Sequence, residues 1–325
     1  MMRLHACFIV ALTALLGLGV KSDEAPTISG CVVFPADNVW NARVDDLPVL
    51  PGSDAYVSTI GADKPLWPDF ASGLYEGASV GIPYLVVPFR TPRTEIVFRA
   101  FDGEGPYEDE SDVGPAPIPA SAPIEGGPAA SGDRHVLVIE AGSCTLFELY
   151  KAVSQDDGRW AAVGSVRFDL ETNALRPQGM TSADAAGLPV FPGLVRYPEV
   201  SLGEIRHALR FTAPRTRNGF VWPARHAASD ESDPALPPMG QRFRLKADVD
   251  VSGFSPSNRV ILVALKRYGM ILADNGSPWF LSGAPHDGWD NDDLAQLRTL
   301  TGSDFEAVDA ASLMVEPDSA ASAPR

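Results

Sequence analysis

Glu125, Asp133, Asp184 and Glu199 each sit in a stretch bounded by proline or glycine. Rigid loop acids of this kind suit glycoside hydrolysis, which needs one protonated and one ionised carboxyl across the scissile bond. No spacing singles out a pair, and a turn or capping role is open to each of them. Beyond residue 22 the histidines are His135, His207, His226 and His286, none with a second histidine at metal-ligand spacing. His207 falls on the apolar face of an alternating run. It is either a core residue with a satisfied hydrogen bond or a base at the floor of a cleft. His226 follows Trp222, Pro223 and Arg225 at a strand end or loop. That setting suits a general base working near neutral pH.

Binding chemistry has its own candidates. Tryptophan rings can stack on the C–H faces of sugars while staying partly wet. Of the six tryptophans, Trp222 and Trp289 lie beside Arg225 and acidic loop residues. Arg206, Arg210, Arg242, Arg244 and Lys246 occupy the polar faces of two alternating runs. They form either a stripe that would neutralise uronate or sulfate groups, or an ordinary solvated face. Asp287, Asp290, Asp292 and Asp293 could hold calcium through oxygen ligands, but without the glycine and final glutamate of an EF-hand loop. Helix N-capping explains them more simply. There is no G-x-S-x-G elbow, phosphate-binding loop or H-E-x-x-H. No cofactor is expected beyond that calcium option.

These side chains need elements to hold them. Ile82 to Phe89, Glu95 to Ala100 and Trp160 to Leu170 read as strands, and HVLVIE (135–140) with CTLFELY (144–150) as a hairpin. Ile205 to Phe211 and Arg242 to Val249 alternate with period two, the pattern of half-buried antiparallel strands. Ser255 as N-cap, Pro256 at the first position and Gly269 at the end delimit one helix. Met270 to Asp274, Asn275-Gly276 and Trp279 to Leu281 read as strand, tight turn and strand, and a shorter helix starts near Asp290. The expected fold is mainly β, an antiparallel sandwich or jelly-roll-like domain with one or two helices near the C-terminus. Residues 108–132 carry five prolines between Pro115 and Pro128. They are either a linker marking a domain boundary or a stiff loop walling a site, and the loop reading is preferred. Residues 315–325 read as a frayed tail.

The 325 residues are 45% hydrophobic and 21% charged, which fits a globular chain able to bury a large core. Residues 1–22 read as a secretory signal, with Arg3 before an apolar run, Cys7 to Leu18, too short to make a good membrane span. Cys31 and Cys144 then remain, and an oxidising compartment would join them in one disulfide. The net charge of −16 excludes a generally basic nucleic-acid binder. Residues 159–267 stand apart, with 15 bases against 10 acids. That excess marks either a site for an anionic ligand or a segment paired with its own acidic flanks.

DESD…APIEGG (109–127), GDRHVLVIE (132–140), TSADAAGLPVFPGLVRYPEV (181–200), GEIRHALRFT (203–212), VWPARH (221–226), PPMGQRFRLKA (237–247) and LKRYGMILADNGSPWFLSG (265–283) are distinctive strings. With them the chain resembles, from about Phe34 to Leu313, a widespread family of secreted, largely uncharacterised bacterial proteins. Some members occur beside carbohydrate-binding modules, so the resemblance implies secretion and a leaning towards polysaccharides. It assigns no catalytic residue. The expected function is a secreted glycoside hydrolase, with Glu125, Asp184, His207 and His226 as catalytic candidates. Trp222, Arg225, Arg242, Arg244, Lys246 and Trp289 would hold the polymer. A lyase on an anionic glycan, with a histidine abstracting the C5 proton, and a non-catalytic carbohydrate-binding or cell-surface protein are the alternatives.

Overall fold

The structure is a computed structural model that describes residues 24–324. The signal segment read at residues 1–22 lies outside the described residues. The described chain is mainly β, in several sheets with a few short helices. The largest sheet has six strands, in the order Phe305–Ala307, Arg242–Leu245, Met270–Asn275, Leu209–Ala213, Phe280–Ser282 and Trp67–Asp69. A four-stranded sheet runs Gly164–Asp169, Thr145–Tyr150, Val136–Glu140 and Tyr84–Val87. The sheets are mixed rather than purely antiparallel: Leu209–Ala213 is parallel to Met270–Asn275, Phe280–Ser282 to Trp67–Asp69, and Tyr84–Val87 to Val136–Glu140.

The hairpin read at 135–150 forms as expected, with Val138 opposite Phe147 and Ile139 opposite Leu146. All five residues of Val136–Glu140 are buried because the strand is covered on both faces. Leu137 and Ile139 join the main core, while Val136 and Val138 join a second cluster with Phe147, Trp160 and Ile118. A continuous apolar run is what such two-sided burial requires. The prolines of 108–132 carry Ala116, Ile118, Ala122 and Ile124 into that second cluster. The segment is therefore a packed loop.

Three expectations are corrected. The strands at 270 and 280 do not pair with each other across Asn275-Gly276, because Leu209–Ala213 lies between them. The basic stripe does not exist as an exposed face. Alternation separates the two faces correctly, but the second is covered by residues 39–47, whose backbone carbonyls take the guanidiniums. Arg242 donates to the carbonyls of Tyr268, Val39 and Ala42. Arg244 donates to those of Val44 and Leu47 and pairs with Glu306. Of the proposed binding residues on this strand, only Lys246 stays partly exposed, its Nζ donating to the Ser303 carbonyl. Nor do residues 315–324 form a frayed tail. Ala320 is buried, Val39 donates to its carbonyl at 2.8 Å, and Arg225 and Trp222 donate to the carbonyls of Pro317 and Ser319.

The helix expected after Ser255 spans Pro256–Arg267, with Asn258 N–H donating to the Ser255 hydroxyl at 3.1 Å. Gly269 follows with φ +64°, and an added Cβ there would collide with the Phe243 carbonyl oxygen. Two more α-helices, Ser53–Ile60 and Tyr197–Leu202, lie outside the C-terminal region where helices were expected. Neither has a side-chain cap, although Pro198 and the left-handed Gly203 mark the two ends of the second. Cys31 and Cys144 form the expected disulfide, 113 residues apart.

Candidate functional site

One face of the large sheet carries a row of polar side chains. Ser282 pairs with Asp69, and Phe211 with Leu281, so Arg210, Ser282 and Asp69 share that face across three neighbouring strands. A bulge adds Asp274. Phe211 pairs with Leu272, but Thr212 pairs with Asp274, leaving Ala273 as the extra residue. Without that bulge, strict alternation would turn Asp274 to the opposite face. With it, Arg210 Nη2 reaches Asp274 Oδ2 at 3.2 Å. The Arg210 guanidinium also clasps Asp184 through Nε (2.7 Å) and Nη2 (2.8 Å) and donates to Ser282 Oγ at 2.6 Å.

The loop before the Val136–Glu140 strand supplies the facing wall. His135 Nδ1 lies 2.6 Å from Glu125 Oε2, and its Nε2 lies 2.8 Å from the Ala183 carbonyl. Both partners are acceptors, so the ring sits there as a doubly donating imidazolium. Asp133 is exposed beside it and makes no side-chain hydrogen bond or ion pair among the described residues. Between wall and floor lie two cavities of about 330 Å³ and 150 Å³. Both are lined by Asp133, Asp274 and Asn275, which stand where the two meet. Tyr107, Tyr150 and His226 line the larger one, and Asp69, Glu125 and Arg210 the smaller.

Burial and then the neighbouring Asp184 charge push the Asp274 carboxyl up to about 7, against the pull of Arg210. Burial and the Glu125 charge likewise raise Asp69. Burial would raise Glu125 too, but the His135 charge and hydrogen bonds outweigh it and hold Glu125 below the usual carboxylate range. Burial works against the His135 imidazolium, yet Glu125 holds it up to about 10. The cleft therefore pairs a carboxyl that keeps its proton to near neutrality, Asp274, with an exposed acidic side chain, Asp133. That division of environments is how one site obtains both an acid and a base.

No family model, curated protein or solved structure matches this chain. The functional reading rests on the geometry of the cleft.

The expected site residues divide. Glu125 lines the smaller cavity and His226 the larger. His226 Nδ1 donates to the Ala185 carbonyl at 2.8 Å, which fixes the ring at the edge of the larger cavity. Asp184 is fully buried beneath the cleft with both oxygens held by Arg210, so it supports the floor and cannot meet a substrate. His207 is the core histidine: Nδ1 donates to the Ala208 carbonyl at 2.7 Å, and Arg196 and Glu199 close over Nε2. Glu199 is thereby held down to about 2, burial being outweighed by Arg196 and His207. Arg225 is buried and tied to Arg176, Pro317 and Asp318. Trp289 is buried against Phe70 and Tyr197, with its Nε1 on the Ala284 carbonyl. Trp222 Nε1 is held by the Ser319 carbonyl, away from the cleft. Asp290 Oδ1 caps the Asn291–Leu294 helix through the N–H groups of Asp292 and Asp293, and Asp293 accepts from Ser255. Among the described residues, no group of three or more His, Cys, Asp or Glu side chains is placed to hold a metal ion.

Sequence reasoning missed Asp274, Asp69, Tyr107 and Tyr150. The one available signal was an acid closing a buried run, Met270-Ile-Leu-Ala-Asp274.

Proposed function

We propose that this protein is a secreted glycan hydrolase that works by general acid–base catalysis. Asp274 is the acid and Asp133 the base. A water placed between cleft and sugar attacks the anomeric carbon, and Asp133 takes its proton. Asp274 gives its own proton to the glycosidic oxygen as that bond breaks. One C–O bond forms and one breaks; Asp133 ends protonated and Asp274 ionised, and proton exchange with solvent restores both for the next turnover. The Glu125–His135 pair positions the wall from which Asp133 projects, and Arg210 holds Asp274 in place.

The observation that carries this reading is the bulge that turns the proton-retaining Asp274 into a cleft it shares with the exposed Asp133. The aromatic rim of Tyr107 and Tyr150, stacked 6.4 Å apart, suits a sugar. The disulfide fits an oxidising compartment and supports secretion. The lyase reading is less favoured, because Arg242 and Arg244, two of the cations it called on, make their hydrogen bonds inside the protein.

The test is incubation of the protein with a panel of neutral and anionic polysaccharides, reading reducing ends and unsaturated-uronide absorbance together. The expected result is reducing ends without absorbance, cut by ~10²–10⁴-fold in Asp274→Asn and in Asp133→Asn. Absorbance would replace the hydrolase by a lyase. Binding without product would replace it by a carbohydrate-binding role.

A further inference from the structure

A third cavity, of about 590 Å³, adjoins the cleft at Asp69, which lines both it and the 150 Å³ cavity. Trp67 stands on the same sheet face as Asp69, two residues earlier in the strand, and stacks on Phe280 at 5.6 Å. The Arg298 guanidinium lies over the Trp67 ring, 3.6 Å from its centre. That contact fixes the Arg298 plane, while its N–H groups meet no hydrogen-bond acceptor among the described residues. Opposite stand Leu74 and Tyr75, 73% and 70% exposed on a two-stranded hairpin. Exposed apolar side chains of this size, facing a groove, mark a binding surface rather than a core.

Shared lining residues link the three cavities: Asp133, Asp274 and Asn275 join the first two, and Asp69 joins the smallest to the third. Tyr107 and Tyr150 line the first, and Tyr75, Trp67 and Arg298 line the third. We infer that the groove at Tyr75 and Arg298 binds further sugar units of a linear, hydroxyl-rich glycan, so that the chain lies across the acids and is cut at internal bonds. Tyr75 offers a ring face to a sugar, and Arg298 offers fixed donors to its hydroxyls. A glycan touching all three cavities would pass the acids at an internal bond rather than at a chain end. The inference rests on the hydrolase reading and names the form of its substrate.

The test uses Asp274→Asn as the binding host and cello-, chito-, xylo- and manno-oligosaccharides of two to six units as probes. Titration calorimetry reads affinity, and product sizes from the corresponding polymers are read with the unmodified protein. The expected result in at least one series is a gain of about tenfold or more from trimer to hexamer, with mid-length products early in digestion. Tyr75→Ser and Arg298→Ala, both at exposed positions, would each remove most of that gain, with unchanged thermal unfolding showing that the fold is intact. A hexamer bound no better than a trimer, or variants that keep the full gain, would overturn the groove while turnover of polymer left the hydrolase standing. Neither binding nor cleavage in any series would overturn both.

Discussion

Asp184 and Arg210 form the most enclosed ion pair beside the cleft, with side-chain exposures of 0% and 4%. Removing one partner of such a pair leaves an uncompensated buried charge, which costs about 3–5 kcal/mol. Asp184→Asn is therefore expected to lower the unfolding free energy by about that amount in urea denaturation. A loss below about 1 kcal/mol would mean the pair does not hold the floor. Glu125 and His226 line the cleft, and their loops could be singled out from sequence because exposed functional groups collect in rigid, proline-bounded loops. Asp184 lies in such a loop too, but nothing local says that its carboxylate turns inward to an arginine 26 residues away. Arg242 and Arg244 were misread for a related reason. Alternation shows that two faces differ, not that the polar one is wet.

At the level of elements, the signals that could be read are those that act locally. Ser255, Pro256 and Gly269 fix both ends of a helix because a cap satisfies end groups within a turn. Ser255→Ala should cost about 1 kcal/mol, read as a shift of the urea midpoint at unchanged slope. The Ser255 hydroxyl also donates to Asp293 at 2.6 Å, so a loss smaller than a few tenths would show that neither contact matters. Strand partners are a different matter. Asn275-Gly276 looks like a hairpin turn, yet the strands on either side of it flank Leu209–Ala213, which comes 57 or more residues earlier in the chain. The bulge opposite Phe211 and Thr212 is equally silent in sequence, because it depends on which strand lies alongside. That is why Asp274, the central residue of the proposed site, could not be read in advance.

The whole molecule combines groups with opposite responses to pH. Glu125 and Glu199 are held below their ordinary values, so the stability they contribute is present above about pH 4.5 and is lost as pH falls. Glu148 is pushed up to about 7 by burial, against N–H donation from Val190 and Phe191, and Asp274 rises to about 7 as well. Each of these binds a proton more tightly folded than unfolded, so its contribution is lost as pH rises from about 4 through about 7. His135 adds stability that is complete below about 6.5 and lost as pH rises through about 10. Thermal unfolding across pH should therefore show greatest stability near about pH 5, and a maximum above about pH 8 would contradict these assignments. The same Asp274 proton governs the proposed activity. The most direct test is the pH dependence of kcat/KM on a polysaccharide that the protein cleaves. The proposal predicts a fall above about pH 7 as Asp274 loses its proton, and the loss of that limb together with most of the activity in Asp274→Asn. Turnover that keeps rising past about pH 9, or an Asp274→Asn variant with the full rate and profile, would contradict it.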